Sequence, residues 1–220
     1  MCSPSRDLRA LLFALFILFC VPFESVGGVV EPQDTHALAT QILVLGDSLS
    51  AAYGIDISQG WVHLLQRRLE SRGFEHRVVN ASISGETTRG GLARLEKTLD
   101  SVRPGIVIVA LGGNDGLRGL SLVETRSNLA AILQTVIDHG ARVVLVGMRL
   151  PPNYGPEYTQ RFEAIYVELA KQFATPLVPF LLDGVAEDPS LMQLDGLHPR
   201  AEAQPALLDN VWVYLDALIP

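Results

Sequence analysis

Residues 106–111 read IVIVAL: six apolar residues, four of them β-branched, with no polar position on either side of the pleat. A strand with one wetted face alternates apolar and polar residues. A run like this one is a strand covered on both faces, as in a parallel sheet with helices on each side. The segments around it agree. Ile42–Leu45, Arg77–Asn80, Val143–Val146 and Pro176–Val178 are further candidate strands. Between them, apolar residues recur at helical spacing: Trp61, Leu64, Leu65, Leu69; then Leu92, Leu95, Leu99; then Leu129, Ile132, Leu133, Val136. Phe162, Ile165, Tyr166, Leu169 and a last set, Leu207, Leu208, Val211, Leu215, continue the pattern. Strand alternating with helix predicts one three-layer α/β/α domain on a mostly parallel five-stranded sheet.

In such sheets ligands bind beyond the carboxyl ends of the strands. The polar, glycine-rich stretches fall there. GDSLS follows the first strand and NASISGETT spans the end of the second. GGNDG follows the third, RLPPNYG the fourth and DGLHP the fifth. All of them can face one rim.

The chain begins differently. Arg6 and Arg9 precede an uncharged apolar run, Ala10–Phe23, and small residues follow at Ser25, Gly27 and Gly28. A basic start, a short apolar stretch and small residues are the layout of a cleaved signal peptide. The run has 14 residues, whereas a membrane span needs about 20. The expected organisation is a signal peptide at 1–27, a short leader at 28–39 and the folded domain at 40–220, in a periplasmic or secreted protein. Both cysteines, Cys2 and Cys20, lie in the part removed, so the mature chain has no disulfide and no thiol nucleophile. No stable membrane insertion of the mature chain is expected. A net charge of −7 disfavours nucleic acid as a partner.

Ser48, two residues past the first strand, reads either as a helix cap or as a nucleophile. A serine nucleophile needs a base, an acid that orients it, and donors for an oxyanion. His63 falls inside a helical pattern, His76 before a strand, and His139 at a helix end where imidazolium suits the dipole. His198 stands apart in Asp195-Gly196-Leu197-His198-Pro199, just before the last helix. Asp195 can accept from one ring nitrogen and leave the other for the serine proton. The alternative is a turn in which Asp195 caps the last helix and Pro199 starts it. Gly85 can bring a backbone N–H close to a substrate, and Asn114 offers an amide. The Ser48 N–H, expected to open a helix, is a third donor. Asp47 reads as shaping that turn or as a cap.

Taken together, Ser48 in GDSLS, Gly85 in NASISGETT, Asn114 in GGND and Asp195/His198 in DGLHP resemble the four blocks of the SGNH (GDSL) hydrolase superfamily. ALGGNDGLRG and MRLPPNYG are similar to one branch, the periplasmic thioesterase I / protease I / lysophospholipase L1 enzymes and related arylesterases. The resemblance runs from about Thr40 to near Leu218. It implies a flavodoxin-like fold, no metal and no organic cofactor. It also implies cleavage of small carboxylic esters and thioesters through an acyl-enzyme on Ser48; separately, a monomer is expected. Ser48, Asp195 and His198 would be the triad, and Ser48, Gly85 and Asn114 the oxyanion hole. Leu150 and Pro151 would line the acyl pocket, and the glycines at 116–120 permit a loop that moves on binding. The alternatives are a carbohydrate O-acetyl esterase or acyltransferase of the same superfamily, or a silent binding module on this fold.

Overall fold

In the computed structural model the described residues are 40–219. The signal peptide and leader read from the sequence lie outside them. Five strands form one sheet: β1 (Gln41–Gly46), β2 (Arg77–Asn80), β3 (Ile106–Ala110), β4 (Arg142–Val146) and β5 (Leu177–Val178). Their order is β2-β1-β3-β4-β5, and all four pairings are parallel. Every residue of β3 is buried, as its unbroken apolar run demands. Each fully buried Val or Ile contributes roughly 1.5–3 kcal/mol by leaving water.

The helices are α1 (Trp61–Ser71), α2 (Thr88–Val102), α3 (Gly113–Leu117), α4 (Leu122–Asp138), α5 (Pro156–Phe173) and α6 (Gln204–Leu215). Right-handed crossovers put α1 on one face and send α2, α4 and α5 to the other. Accordingly α1 packs on α6, while α4 packs on both α2 and α5. The chain leaves β1 in one direction to β2, then crosses back to β3 on the other side. The crevice between β1 and β3 is therefore the switch point at which an open α/β sheet binds its ligand. Ser48 follows β1 and Asn114 follows β3, one on each side of that crevice.

Two local expectations change and one alternative falls. No α-helix opens at Ser48: residues 48–54 are turns, a 3-10 helix spans Ile57–Gln59, and α1 starts only at Trp61. Ala52 at φ 58 and Gly54 at φ 75 are left-handed, a conformation through which a right-handed helix cannot propagate. Pro199 does not start the last helix either. It pairs with Met192 in an antiparallel bridge, and Pro205 sits in the first turn of α6 instead. Residues 113–117, which overlap the loop read at 116–120 by two residues, form α3.

Candidate active site

The turn after β1 is organised by Asp47. Its Oδ1 accepts the Leu49 N–H at 3.1 Å, and its carbonyl accepts the N–H groups of Ser50 and Ala51 at 3.2 and 2.9 Å. Asp47 thus caps a single tight turn and holds Ser48 at its apex. The Ser48 carbonyl accepts the Tyr53 N–H at 3.2 Å. Among the described residues the Ser48 N–H has no protein acceptor.

His198 reaches this turn from a loop 150 residues later in the chain, with Nε2 2.8 Å from Ser48 Oγ. Its Nδ1 lies 2.7 Å from Asp195 Oδ2. An ionised carboxylate only accepts, so Nδ1 carries the proton and Nε2 is the basic nitrogen facing the serine. The other oxygen of Asp195 accepts the N–H groups of Leu197 and His198 at 2.9 and 3.0 Å. Burial pushes the Asp195 carboxyl upward. The His198 ring, those two N–H groups and the histidine charge outweigh it and hold the pKa at about 2. Asp195 therefore stays ionised across the neutral range. The Tyr53 ring covers the imidazole at 4.5 Å, tilted by 40°.

Gly85 lies in the turn between β2 and α2 at φ +78, where a side chain is strained. Its N–H also lacks a protein acceptor among the described residues, while its carbonyl takes a bond from Arg118 Nη2 at 2.8 Å. Asn114, at the second position of α3, donates Nδ2 to the Glu86 carbonyl at 3.0 Å and to Asp47 Oδ2 at 3.3 Å. The longer bond is the weaker, and an incoming oxyanion can replace it. Burial pushes the Asp47 carboxyl up to about 6, although the Leu49 N–H, the His198 charge and the Asn114 amide pull it down. Ser48, Gly85, Asn114 and His198 line one cavity. An imidazole poised to take a serine proton beside two unpaired N–H groups and an amide can carry out acyl transfer.

The profile of the GDSL-like Lipase/Acylhydrolase family matches residues 44–205, a span that includes all of these groups. The chain belongs to that family. Esterase TesA of Pseudomonas aeruginosa is 52% identical over 184 residues, 84% of this chain and 92% of that one. Thioesterase 1/protease 1/lysophospholipase L1 of Escherichia coli K12 is 46% identical over 183 residues, covering 83% and 86%. The crystal structure of TesA superposes with a TM-score of 0.80 at 53% identity, covering 81% of this chain and 99% of the other.

In this GDSL-like acylhydrolase the cavity holds about 680 Å³, ample for a small ligand. Leu150 and Pro151, singled out in the sequence, line it together with Leu117, Met148, Phe180 and Leu182. The last four follow strand ends or sit in α3, but a buried leucine in a loop looks like any core residue in the string. Of the loop read at 116–120, residues 116 and 117 end α3, and Tyr154 Oη donates to the Leu117 carbonyl at 2.8 Å.

The supports of the site were also hidden. Arg94 Nε donates to both oxygens of Glu86 at 2.8 and 3.1 Å, Nη2 bonds one of them again, and Nη2 reaches the Ala81 carbonyl at 2.6 Å. This fixes the Gly85 turn on α2. The buried Asp115 accepts the Thr88 N–H at 2.9 Å and its hydroxyl at 2.6 Å, pinning the start of α2 to α3. Asp115 directly follows Asn114, and that adjacency was the one available signal. His63 and His139 lie outside the cavity, His139 at the end of α4 with Nδ1 2.8 Å from the Thr135 carbonyl. Among the described residues no group of three or more His, Cys, Asp or Glu is placed to hold a metal, and no helix is long and apolar enough to cross a membrane.

Proposed function

We propose that this serine ester hydrolase works through Ser48, His198 and Asp195 on carboxylic esters and thioesters with an apolar acyl chain. The observation that carries the assignment is His198 standing 2.8 Å from Ser48 Oγ with its other nitrogen on Asp195. His198 Nε2 removes the Oγ proton as Oγ attacks the acyl carbonyl. Asp195 keeps the imidazole in the required tautomer and stabilises its cation. The N–H groups of Ser48 and Gly85 and the Asn114 amide receive the oxyanion. The tetrahedral adduct collapses as imidazolium gives its proton to the leaving alkoxide or thiolate. Water, deprotonated by His198, then releases the acid and regenerates Ser48.

The apolar lining by Leu150, Pro151, Met148 and Phe180 supports an acyl-chain pocket. The names of the relatives, an esterase and a thioesterase/lysophospholipase, support both leaving-group classes. The basic start, apolar run and small residues of segment 1–27 support export and cleavage, hence action in the periplasm or outside the cell.

A panel of p-nitrophenyl esters and acyl-CoA thioesters of increasing chain length tests the reading, with Ser48→Ala alongside. Ester and thioester turnover should both vanish in the variant. Full esterase activity in Ser48→Ala would refute it, and a flat response to chain length would remove the acyl-pocket assignment.

A further inference from the structure

Ser48 and His198 meet through loops that are remote in the chain, and Gln193 stands where those loops join. Its side-chain amide donates to the Tyr53 carbonyl at 2.8 Å and to the Pro199 carbonyl at 3.1 Å. Its backbone N–H donates to the His198 carbonyl at 2.7 Å. Tyr53 donates its own N–H to the Ser48 carbonyl at 3.2 Å. With the Ser48–His198 contact these bonds close a circuit from Ser48 through Tyr53, Gln193 and His198 back to Ser48 Oγ. Among the described residues, no hydrogen bond other than Gln193 to Tyr53 and the Ser48–His198 contact joins segment 47–54 to segment 191–200.

Two further features fit the same role. Gly54, next to Tyr53, sits at φ +75, and a Cβ there would fall 2.2 Å from Gln193 Oε1. The position facing the glutamine amide is thus clear of any side chain. The Tyr53 ring, anchored by backbone bonds on both its sides, lies 4.5 Å from the His198 ring. The chemistry also selects the residue type. Two carbonyls need two N–H donors from one side-chain end, which a glutamine amide supplies and a carboxylate or thioether does not.

We propose that Gln193 is a positioning residue for hydrolysis, setting the distance and angle between Ser48 Oγ and His198 Nε2 without touching substrate. The proposal rests on the roles given above to Ser48 and His198. Proton transfer from Oγ depends on hydrogen-bond geometry, and a shift of about 1 Å in a reacting pair costs on the order of 10²-fold in rate.

Gln193→Met keeps the side-chain volume and deletes both donors. Gln193→Glu keeps the shape and faces each carbonyl with an acceptor. Gly54→Ala displaces the amide from the opposite loop and serves if either Gln193 variant fails to fold. Active sites are counted by titration with a p-nitrophenyl phosphonate, and kcat is expressed per titrated site, so misfolded molecules do not enter. The expected result is a kcat per site about 10- to 100-fold lower with KM within about twofold, the pattern of a lost transition-state arrangement. A kcat per site within about threefold of the parent in the variants that fold overturns the role of Gln193. Failure of the parent itself to label, or labelling that survives Ser48→Ala, overturns the underlying assignment instead.

Discussion

Asp47 offers a quantitative check on the electrostatics of the site. Its side chain is buried beside Ser48, and burial lifts its pKa from the ordinary 3.8 to about 6. The folded state therefore binds a proton more tightly than the unfolded chain does. The stability from this group is fully present below about pH 4 and is lost as pH rises through about 6. At 1.36 kcal/mol per pH unit, the whole loss is about 3 kcal/mol, roughly half of it reached by pH 5. Asp47→Asn removes the titration. It also sets an amide N–H against either the Leu49 N–H or the Asn114 amide, two donors facing each other, at a cost of about 1 kcal/mol. That cost does not depend on pH, so the difference between parent and variant isolates the carboxyl. Urea denaturation at intervals from pH 3 to pH 8 gives the unfolding free energy of each. The parent should lose about 3 kcal/mol relative to Asp47→Asn across that range. Other carboxyls, including Asp195, titrate in both proteins and cancel. If the two curves run parallel within about 1 kcal/mol, Asp47 is not a carboxyl held protonated by burial, and the electrostatic account of the Ser48 turn fails.

Two shorter predictions follow from the same geometry. Asn114→Ala should lower kcat/KM for esters by roughly 10²–10³, about 2.7–4 kcal/mol of transition-state stabilisation, with circular dichroism unchanged. A loss below about tenfold would remove the amide from the oxyanion hole. His76 is 5% exposed, and among the described residues neither ring nitrogen has a hydrogen-bond partner. Burial, then the Arg142 charge, lowers its pKa below 6.5, so stability is present above pH 6.5 and is lost as pH falls below it. The thermal midpoint of His76→Leu should respond less than that of the parent between pH 6.5 and pH 5. Equal responses would show that the buried imidazole does not titrate on folding.

The sheet could be read from the string because each strand is short, apolar and followed by polar glycine-rich residues. Observed bounds differ from the expected ones by one residue at both ends of β1 and at one end of β3, β4 and β5. No helix opens at Ser48, for a local reason: residues 48–54 bond into tight turns after Asp47, and Ala52 adopts a left-handed conformation that alanine rarely signals in sequence. Pro199 left an alternative open, because a proline before a helix looks alike whether it begins the helix or pairs across a bridge to Met192. Glu86 and Arg118 fall inside quoted blocks without a role that the blocks reveal, and Arg94 and Gln193 stand outside every block. Their meaning lies in carbonyls and carboxylates brought to them from other parts of the chain.

By itself the sequence determined which layers form and which residue types wait at the strand ends. Periodicity and residue chemistry are local, and strand direction follows from them. It also named Ser48, Gly85, Asn114, Asp195 and His198 as candidates, since each stands in a short block. Only the tertiary structure decided that Ser48 and His198 meet at 2.8 Å across 150 residues of chain. It alone left the N–H groups of Ser48 and Gly85 unpaired among the described residues, and it alone brought the Gln193 amide to the Tyr53 and Pro199 carbonyls. Those are distances between segments joined by crossovers. They are set by how the sheet switches direction between β1 and β3 and by the bonds that stitch its loops, which no local pattern encodes.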